Sequence, residues 1–140
     1  MPAIYTASAT ATGDGRNGHV RSSDGVLDFD LAVPKEMGGP GGALTNPEQL
    51  FAAGYAACFH SAIKLVARSQ KITLTDTAIT IDVGVAPQTD GPGFVLTVGI
   101  EAEIPGLDED QARALLEAAH QVCPYSNATR GNVEVTLTVA

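Results

Sequence analysis

The chain has 140 residues, of which 44% are hydrophobic and 17% are charged, which is typical of one globular domain spanning residues 1–140. It carries 8 lysines and arginines against 16 aspartates and glutamates, so its net charge is −8. No basic run is present, which argues against a nucleic-acid partner because phosphates need cationic contacts.

The N-terminal residues have neither the basic start nor the apolar run of a signal peptide. No uninterrupted apolar stretch approaches the ~20 residues that a membrane span requires. We therefore expect no membrane partner and a location in the reducing cytoplasm. In that compartment a pair of cysteines is more often catalytic or redox-sensing than permanently bonded.

The sequence of the N-terminal third of the chain predicts strands and loops. Residues 3–12 are small and rich in threonine and serine, as in a strand, and residues 13–18 form a glycine-rich turn. Apolar residues alternate over 27–33, which predicts a half-buried strand. Residues 34–46, with four glycines and two prolines, form a long loop of the kind that often carries function.

A long helix follows. Asn46 suits the N-cap, Pro47 suits the first helical position and Gln49 completes the spacing of a capping box. We expect the helix to run to about Ser69. It is apolar on nearly every face, which predicts a buried central helix.

The C-terminal half alternates strands with a second helix. Residues 79–85 and 94–100 alternate around a turn at 90–93 and predict a hairpin. Asp108, with Gln111, opens a helix that Pro124 ends, and its inner face is predicted to carry Ala112, Leu115, Leu116, Ala119 and Val122.

A turn at 129–132 and an alternating strand at 133–139 complete the chain. The order of elements predicts an α+β fold. We expect an antiparallel sheet segregated from two helices.

The two cysteines occupy unlike positions. Cys58 lies in the middle of the first helix, and Cys123 lies at the end of the second, where the chain can loosen more easily. A packed thiol is the plain interpretation of each. A mid-helix thiol gains nothing from its own helix N-terminus, and burial raises its pKa. If Cys58 reacts, a cation must therefore reach it from elsewhere.

From the residues alone, two functions other than thiol redox chemistry stay open. Cys58, His60, His120 and Cys123 form a formal zinc set, and the last two share one helical face. Cys58 and His60, however, point ~200° apart on a helix, which disfavours zinc. The second possibility is a non-catalytic dimer that binds an apolar small molecule, which nothing in the sequence supports or excludes.

Two segments carry a resemblance to a known family. They are Asn46 to Phe59, NPEQLFAAGYAACF, and His120 to Asn127, HQVCPYSN. Both resemble the organic hydroperoxide resistance proteins of the OsmC-like superfamily. The sequences of the two segments favour that group over the sister OsmC-type general peroxidases. The resemblance implies an intertwined homodimer with an antiparallel sheet wrapped around two main helices.

The resemblance also implies a mechanism. Cys58 would attack an organic hydroperoxide and become a sulfenic acid, and Cys123 would resolve it as a Cys58–Cys123 disulfide. Lipoyl dithiols of lipoylated proteins, or dihydrolipoamide, would reduce that disulfide. No metal, haem or flavin cofactor is implied.

In the family, an arginine in the glycine-rich turn pairs with the glutamate of the Asn-Pro-Glu-Gln segment, which here implies Arg16 and Glu48. A carboxylate can hold a guanidinium by two parallel hydrogen bonds and so fix it beside a thiolate. The turn is one residue longer than the common family form, so Arg21 is a weaker candidate for the same role.

Helix geometry constrains how this pair can act. Glu48 and Cys58 are ten residues apart, or ~15 Å along a straight helix. Either the helix breaks near Gly54, or Glu48 and Arg16 serve Cys58 of a partner chain. The apolarity of the first helix also favours a homodimer, because one small sheet and one companion helix cannot easily cover it.

Overall fold

The computed structural model describes residues 1–140, which divide into two compact units, Met1–Leu50 and Phe51–Ala140. Two three-stranded sheets and three α-helices confirm the α+β class. The prediction of a single domain over residues 1–140 stays a prediction.

The first unit contains an antiparallel sheet of β1 (Ala9–Thr12), β2 (His19–Ser22) and β3 (Asp28–Asp30). A 3₁₀ turn at Gly15–Asn17 lies between β1 and β2, within the predicted turn. The sequence reading missed β2 because its single apolar residue leaves no alternation to detect. The strand predicted over 27–33 is also shorter, because only three of its residues join the ladder.

This small sheet has one polar and one apolar face, since neighbouring residues of a strand point to opposite sides. The apolar face is not covered within this unit: Phe29 is 41% exposed, and only Leu31 and Ala32 among the unit's hydrophobic residues are buried. The residues on the apolar side are Ala9, Ala11, Val20 and Phe29.

Helix α1 (Pro47–Ser69) begins where the sequence predicts and continues through Gly54 without a break. Asn46 Oδ1 accepts the backbone N–H of Gln49 at 2.8 Å, so the predicted N-cap is confirmed. The Gln49 side chain does not complete the capping box, because its oxygen accepts from the Thr45 hydroxyl at 2.9 Å instead.

Only one side of α1 is buried, so the prediction of a fully buried helix is wrong for this chain alone. Ala53, Ala57 and Leu65 recur at helical spacing on the other side and are exposed, Leu65 to 56%. The buried residues are Tyr55, Phe59, Ala62, Ile63, Val66 and Ala67.

Helix α1 bears on the expectation that no membrane span is present. By length and composition alone it is long and apolar enough to cross a membrane. The sequence reading looked for an uninterrupted run, whereas a window average tolerates the few polar residues here. The core helix of a soluble protein passes the same test, so this is weak evidence for a membrane.

The second unit is built on the predicted hairpin, with β4 (Ala78–Pro87) antiparallel to β5 (Phe94–Glu103). The last strand, β6 (Glu134–Val139), pairs with β5 in parallel, so this sheet is mixed and the all-antiparallel expectation is wrong at this pair. The helical segment between the two strands is the crossover connection that parallel neighbours need.

That crossover contains α2 (Glu109–Val122) and a short α3 (Pro124–Thr129). Asp108 and Gln111 form the predicted capping box, with both hydrogen bonds present. The predicted inner face of α2 is confirmed except for Val122, which is 45% exposed at the point where the helix ends. Helix α3 was not predicted, because Pro124 reads as a stop yet occupies the first position of a new helix.

Candidate active site

The two cysteines lie side by side in the second unit. The Cys123 thiol donates to Cys58 Sγ across 3.6 Å, and neither cysteine is in a disulfide. Cys58 is partly exposed, whereas Cys123 is fully buried. A disulfide needs a sulfur separation of about 2.05 Å, so a small approach of the two side chains would join them.

Cys123 owes its position to the proline that follows it. A residue before proline is pushed out of the helical region, and Cys123 has φ −68° and ψ 125° between α2 and α3. Its backbone N–H still bonds to the carbonyl of Ala119, so Cys123 ends α2 and at the same time caps α3. The Cys-Pro sequence thus makes the helix break that carries the buried thiol.

Opposing influences act on the pKa of Cys58. Burial raises the pKa of this thiol above its ordinary value, a hydrogen bond from the backbone N–H of Tyr125 lowers it, and the neighbouring Cys123 raises it further. The net effect is a raised pKa, so within one chain Cys58 is a poor thiolate. The sequence alone does not reveal the Tyr125 amide, because Pro124 predicts the end of a helix there and not the start of α3.

Gly54 makes room for an aromatic ring beside the thiols. A Cβ atom at this position would lie 2.6 Å from Tyr125 Oη, closer than packing allows. The ring centroid of Tyr125 is 5.8 Å from that of Phe51 and 5.4 Å from that of Tyr55. Of the two alternatives that the sequence leaves open, the helix break near Gly54 does not occur: the glycine seats Tyr125 against an intact α1.

A cluster of three hydroxyls lies behind the aromatic rings. The Tyr55 hydroxyl is 2.7 Å from Ser126 Oγ and 3.2 Å from Thr129 Oγ1, and all three side chains are buried. We call Tyr55, Ser126 and Thr129 the buried hydroxyl cluster. It joins α1 to α3. No local pattern predicts this cluster, because each partner lies more than seventy residues away from Tyr55.

The first unit contains the predicted arginine–glutamate pair. Arg16 Nη1 donates to Glu48 Oε2 at 2.9 Å and lies 2.7 Å from Oε1. The expected pair of parallel hydrogen bonds is absent, because one nitrogen meets both oxygens and the contact with buried Oε1 lacks hydrogen-bond geometry. The ion pair is present as predicted, and its action on Cys58 stays a prediction.

Arg21, the weaker candidate, is held elsewhere. Its Nε lies 3.8 Å from Asp28, and its side chain is 58% exposed. Next to it, His19 contacts Asp28 through Nε2 and Asp30 through Nδ1. Hydrogen bonds that His19 donates to Asp30 and to Asp28 raise the pKa of this histidine, the bond to Asp30 having the larger effect. Arg21 thus belongs to a surface cluster of β2 and β3.

The zinc set does not assemble. His60 Nε2 is 2.7 Å from the Thr77 hydroxyl, a hydrogen bond rather than a ligand position. His120 Nδ1 is buried without a hydrogen bond, and burial, followed by the charge of Arg130, lowers the pKa of this histidine. No group of three or more His, Cys, Asp or Glu side chains converges with metal-binding geometry.

Comparison with known proteins adds independent information. A family model described as OsmC-like protein matches residues 39–138. The organic hydroperoxide resistance protein of Xanthomonas axonopodis pv. citri (strain 306) is 54% identical over 138 residues, which cover 98% of this chain and 95% of that protein. OhrB of Bacillus subtilis (strain 168) is 49% identical over 137 residues, covering 96% and 97%.

Solved structures agree. The crystal structure of an organic hydroperoxide resistance protein from Legionella pneumophila superposes with a TM-score of 0.92 at 55% identity and covers 99% of each chain. That from Elizabethkingia anophelis gives a TM-score of 0.93 at 54% identity and covers 100% of this chain and 99% of the other. The chain therefore belongs to the OsmC-like family and, within it, to the organic hydroperoxide resistance proteins.

Proposed function

We propose that this protein is a cysteine-based peroxidase that reduces alkyl or fatty-acyl hydroperoxides to alcohols. The names of its relatives support a role in organic hydroperoxide detoxification. The observation that carries the chemistry is the 3.6 Å separation of two free thiols. A thiol pair at that distance can take up the oxidising equivalents of one peroxide without any further group.

The reaction balances in three steps. The Cys58 thiolate attacks the distal peroxide oxygen, the O–O bond breaks, and the alkoxide leaves as the alcohol after it gains a proton. The Cys58 sulfenic acid then reacts with the Cys123 thiol to form the disulfide and release water. An external dithiol finally donates two electrons and two protons and restores both thiols.

Burial supports the division of roles between the two cysteines. Cys58 is partly exposed, so a hydroperoxide can reach its sulfur, whereas Cys123 has no exposed surface. Cys123 also lies at a break between helices, where a small backbone movement is easier than in the middle of α1. We therefore assign the peroxide-reducing role to Cys58 and the resolving role to Cys123.

Activation of Cys58 requires a cation, because burial raises the pKa of the thiol. We assign this role to Arg16, held in place by Glu48. Since α1 is continuous, Glu48 and Cys58 of one chain stand ~15 Å apart along the helix. We infer that Arg16 and Glu48 of a second copy of the chain complete the site.

Uncovered apolar surface supports the homodimer that this site needs. The apolar face of the first sheet carries exposed Phe29, and the outer side of α1 carries exposed Leu65. Contiguous apolar surfaces of this kind mark interaction sites. A second copy that wraps its sheet against such surfaces would bury them and bring two half-sites together.

We propose lipoyl groups as the physiological reductant and the cytoplasm as the location. A dihydrolipoyl group is a flexible apolar dithiol, so it can reach a partly buried disulfide and leave as a stable cyclic disulfide. The proposed steps use the two thiols and the external dithiol, without a metal, haem or flavin. No nucleic-acid or membrane partner takes part in them.

A steady-state peroxidase assay tests the proposal. With reduced lipoamide as donor, tert-butyl or cumene hydroperoxide should be turned over with a kcat/KM at least about tenfold above that for hydrogen peroxide, as an apolar site confers. Cys58→Ser should abolish turnover, and Cys123→Ser should reduce about one equivalent of peroxide and stop. A preference for hydrogen peroxide, or full activity in Cys58→Ser, would contradict the proposal.

A further inference from the structure

We propose that the buried hydroxyl cluster of Tyr55, Ser126 and Thr129 is a positioning device for the resolving step. This inference rests on the proposed function. It assigns to the cluster the task of holding the Cys123 end of α3 within reach of Cys58 after oxidation. No hydrogen bond joins the cluster to either sulfur, so its members are positioning residues and not catalytic ones.

Disulfide formation depends on the distance between the two sulfurs. The sulfurs are 3.6 Å apart and must approach to about 2.05 Å. Cys58 lies in the middle of the 23-residue helix α1, whose backbone is fixed by hydrogen bonds on both sides. Cys123 lies in the extended conformation between α2 and α3. The closing movement therefore belongs to the Cys123 side.

The contacts of helix α3 limit that movement. Helix α3 has only 6 residues and depends on outside contacts for its position, because isolated helices of this length are unstable. Ser126 Oγ lies 2.7 Å from the Tyr55 hydroxyl, and Thr129 Oγ1 lies 3.2 Å from it. Since all three side chains are buried, an unpaired hydroxyl there would be costly, which keeps α3 anchored to α1.

The buried hydroxyl cluster, which anchors α3, is connected through α3 to both sulfurs. Ser126 is three residues after Cys123, so the Cys123 to Tyr125 segment can shift while the following turn stays fixed. In the same segment the backbone N–H of Tyr125 lowers the pKa of Cys58, and the Tyr125 ring fills the space left by Gly54. Without the anchor, α3 would sample positions in which the Cys58 sulfenic acid has no thiol partner.

The chemical consequence is a competition for the sulfenic acid. It either reacts with Cys123, forming the S–S bond and water, or meets a second hydroperoxide and is oxidised irreversibly to the sulfinic acid, with release of a second alcohol. Loosening α3 should slow the first route and leave the second unchanged. The cluster therefore protects Cys58 from overoxidation.

Three single variants test this. Tyr55→Phe and Ser126→Ala each remove the 2.7 Å bond, whereas Thr77→Val removes the equally short His60–Thr77 bond, which also fixes α1 but does not involve α3. Rapid-mixing experiments with cumene hydroperoxide would measure the first oxidation by peroxide loss. Quenched-flow mass spectrometry would then measure the disulfide and sulfinic forms separately.

In Tyr55→Phe and Ser126→Ala we expect an unchanged first oxidation, disulfide formation slowed by roughly five- to tenfold, as one lost hydrogen bond allows, and a proportionate rise in sulfinic acid. The double variant should be no worse than Tyr55→Phe alone, because Tyr55→Phe already removes both hydrogen bonds of the Tyr55 hydroxyl. Thr77→Val should keep the wild-type ratio of disulfide to sulfinic acid.

A wild-type ratio in both variants, or an equal change in Thr77→Val, would overturn the inference while leaving the peroxidase intact. A wild-type protein that forms no Cys58–Cys123 disulfide would instead refute the proposed function itself. Tyr55→Phe keeps the ring and its volume, so it carries the test if Ser126→Ala folds poorly.

Discussion

Replacing Arg16 by alanine should raise the pH at which Cys58 becomes reactive. Burial and the neighbouring Cys123 raise the pKa of Cys58, and within one chain only the Tyr125 amide opposes them. A cation within ~4–6 Å lowers such a pKa by roughly 1–3 units. Glu48 accepts a hydrogen bond from the Arg16 guanidinium and so balances part of its positive charge. We therefore expect Arg16→Ala to raise the midpoint pH of Cys58 reactivity by about one to two units, equivalent to about 1.4–2.7 kcal/mol.

The assay is the rate of alkylation of Cys58 by iodoacetamide between neutral and alkaline pH, with Cys123→Ser as background so that a single thiol reacts. Arg16→Ala should move the midpoint upward. Arg21→Ala is the matched control, because it removes an exposed arginine that pairs with Asp28. The variant Glu48→Gln should give a smaller upward shift, since it loosens Arg16, and this loss of position outweighs the removal of the carboxylate that balances part of the arginine's charge.

An unchanged midpoint in Arg16→Ala would refute the assignment, and a shift in Arg21→Ala alone would transfer the role to Arg21. Gel filtration of each variant separates a local loss of charge from a loss of the dimer, because a dissociated protein would also lack the partner's arginine. A shift that follows the monomer fraction rather than the substitution would count against a direct effect of Arg16.

Three further predictions concern assembly, packing and pH. Mixing inactive Cys58→Ser with inactive Arg16→Ala under subunit exchange should restore about one intact site per heterodimer; no recovery despite verified exchange would place each site within one chain. The variant Gly54→Ala should destabilise the protein by about 1 kcal/mol, as overpacking against Tyr125 exceeds the gain in helix propensity, and Tyr125→Phe should relieve most of this in urea unfolding. His19 has a raised pKa, so its stabilising contribution is present below the ordinary value of 6.5 and is lost as pH rises through the folded-state pKa. A His19→Gln variant should therefore lower the melting temperature more at pH below 6 than above 8. An equal loss at both pH values would show that the protonated histidine does not stabilise the fold.

Local rules predicted much of the fold. The N-cap at Asn46, the capping box at Asp108 and the hairpin of β4 and β5 each depend on residues close in sequence, and each is confirmed. The parallel pairing of β6 could not be read locally, because β6 alternates like any half-buried strand. Only the recognition of the helical segment as a crossover between β5 and β6 would have predicted it.

The candidate site divides in the same way. The family resemblance pairs Cys58 with Cys123, and the structure places their sulfurs 3.6 Å apart, while their redox roles stay a prediction. The Tyr125 amide and the buried hydroxyl cluster escaped notice because both depend on α3, and Pro124 was interpreted only as the end of a helix. Gly54 was misjudged for a related reason: a helical glycine can mark a close approach as well as a bend.

The central claim is that Cys58 and Cys123 form one redox pair, and intact-protein mass spectrometry after one equivalent of cumene hydroperoxide tests it most directly. The wild type should lose the mass of two hydrogens within a single chain, and peptide mapping should find Cys58 joined to Cys123. The Cys123→Ser variant should instead gain the mass of one oxygen on Cys58. A disulfide between chains, or an oxygen retained on Cys123 while Cys58 stays reduced, would contradict the account.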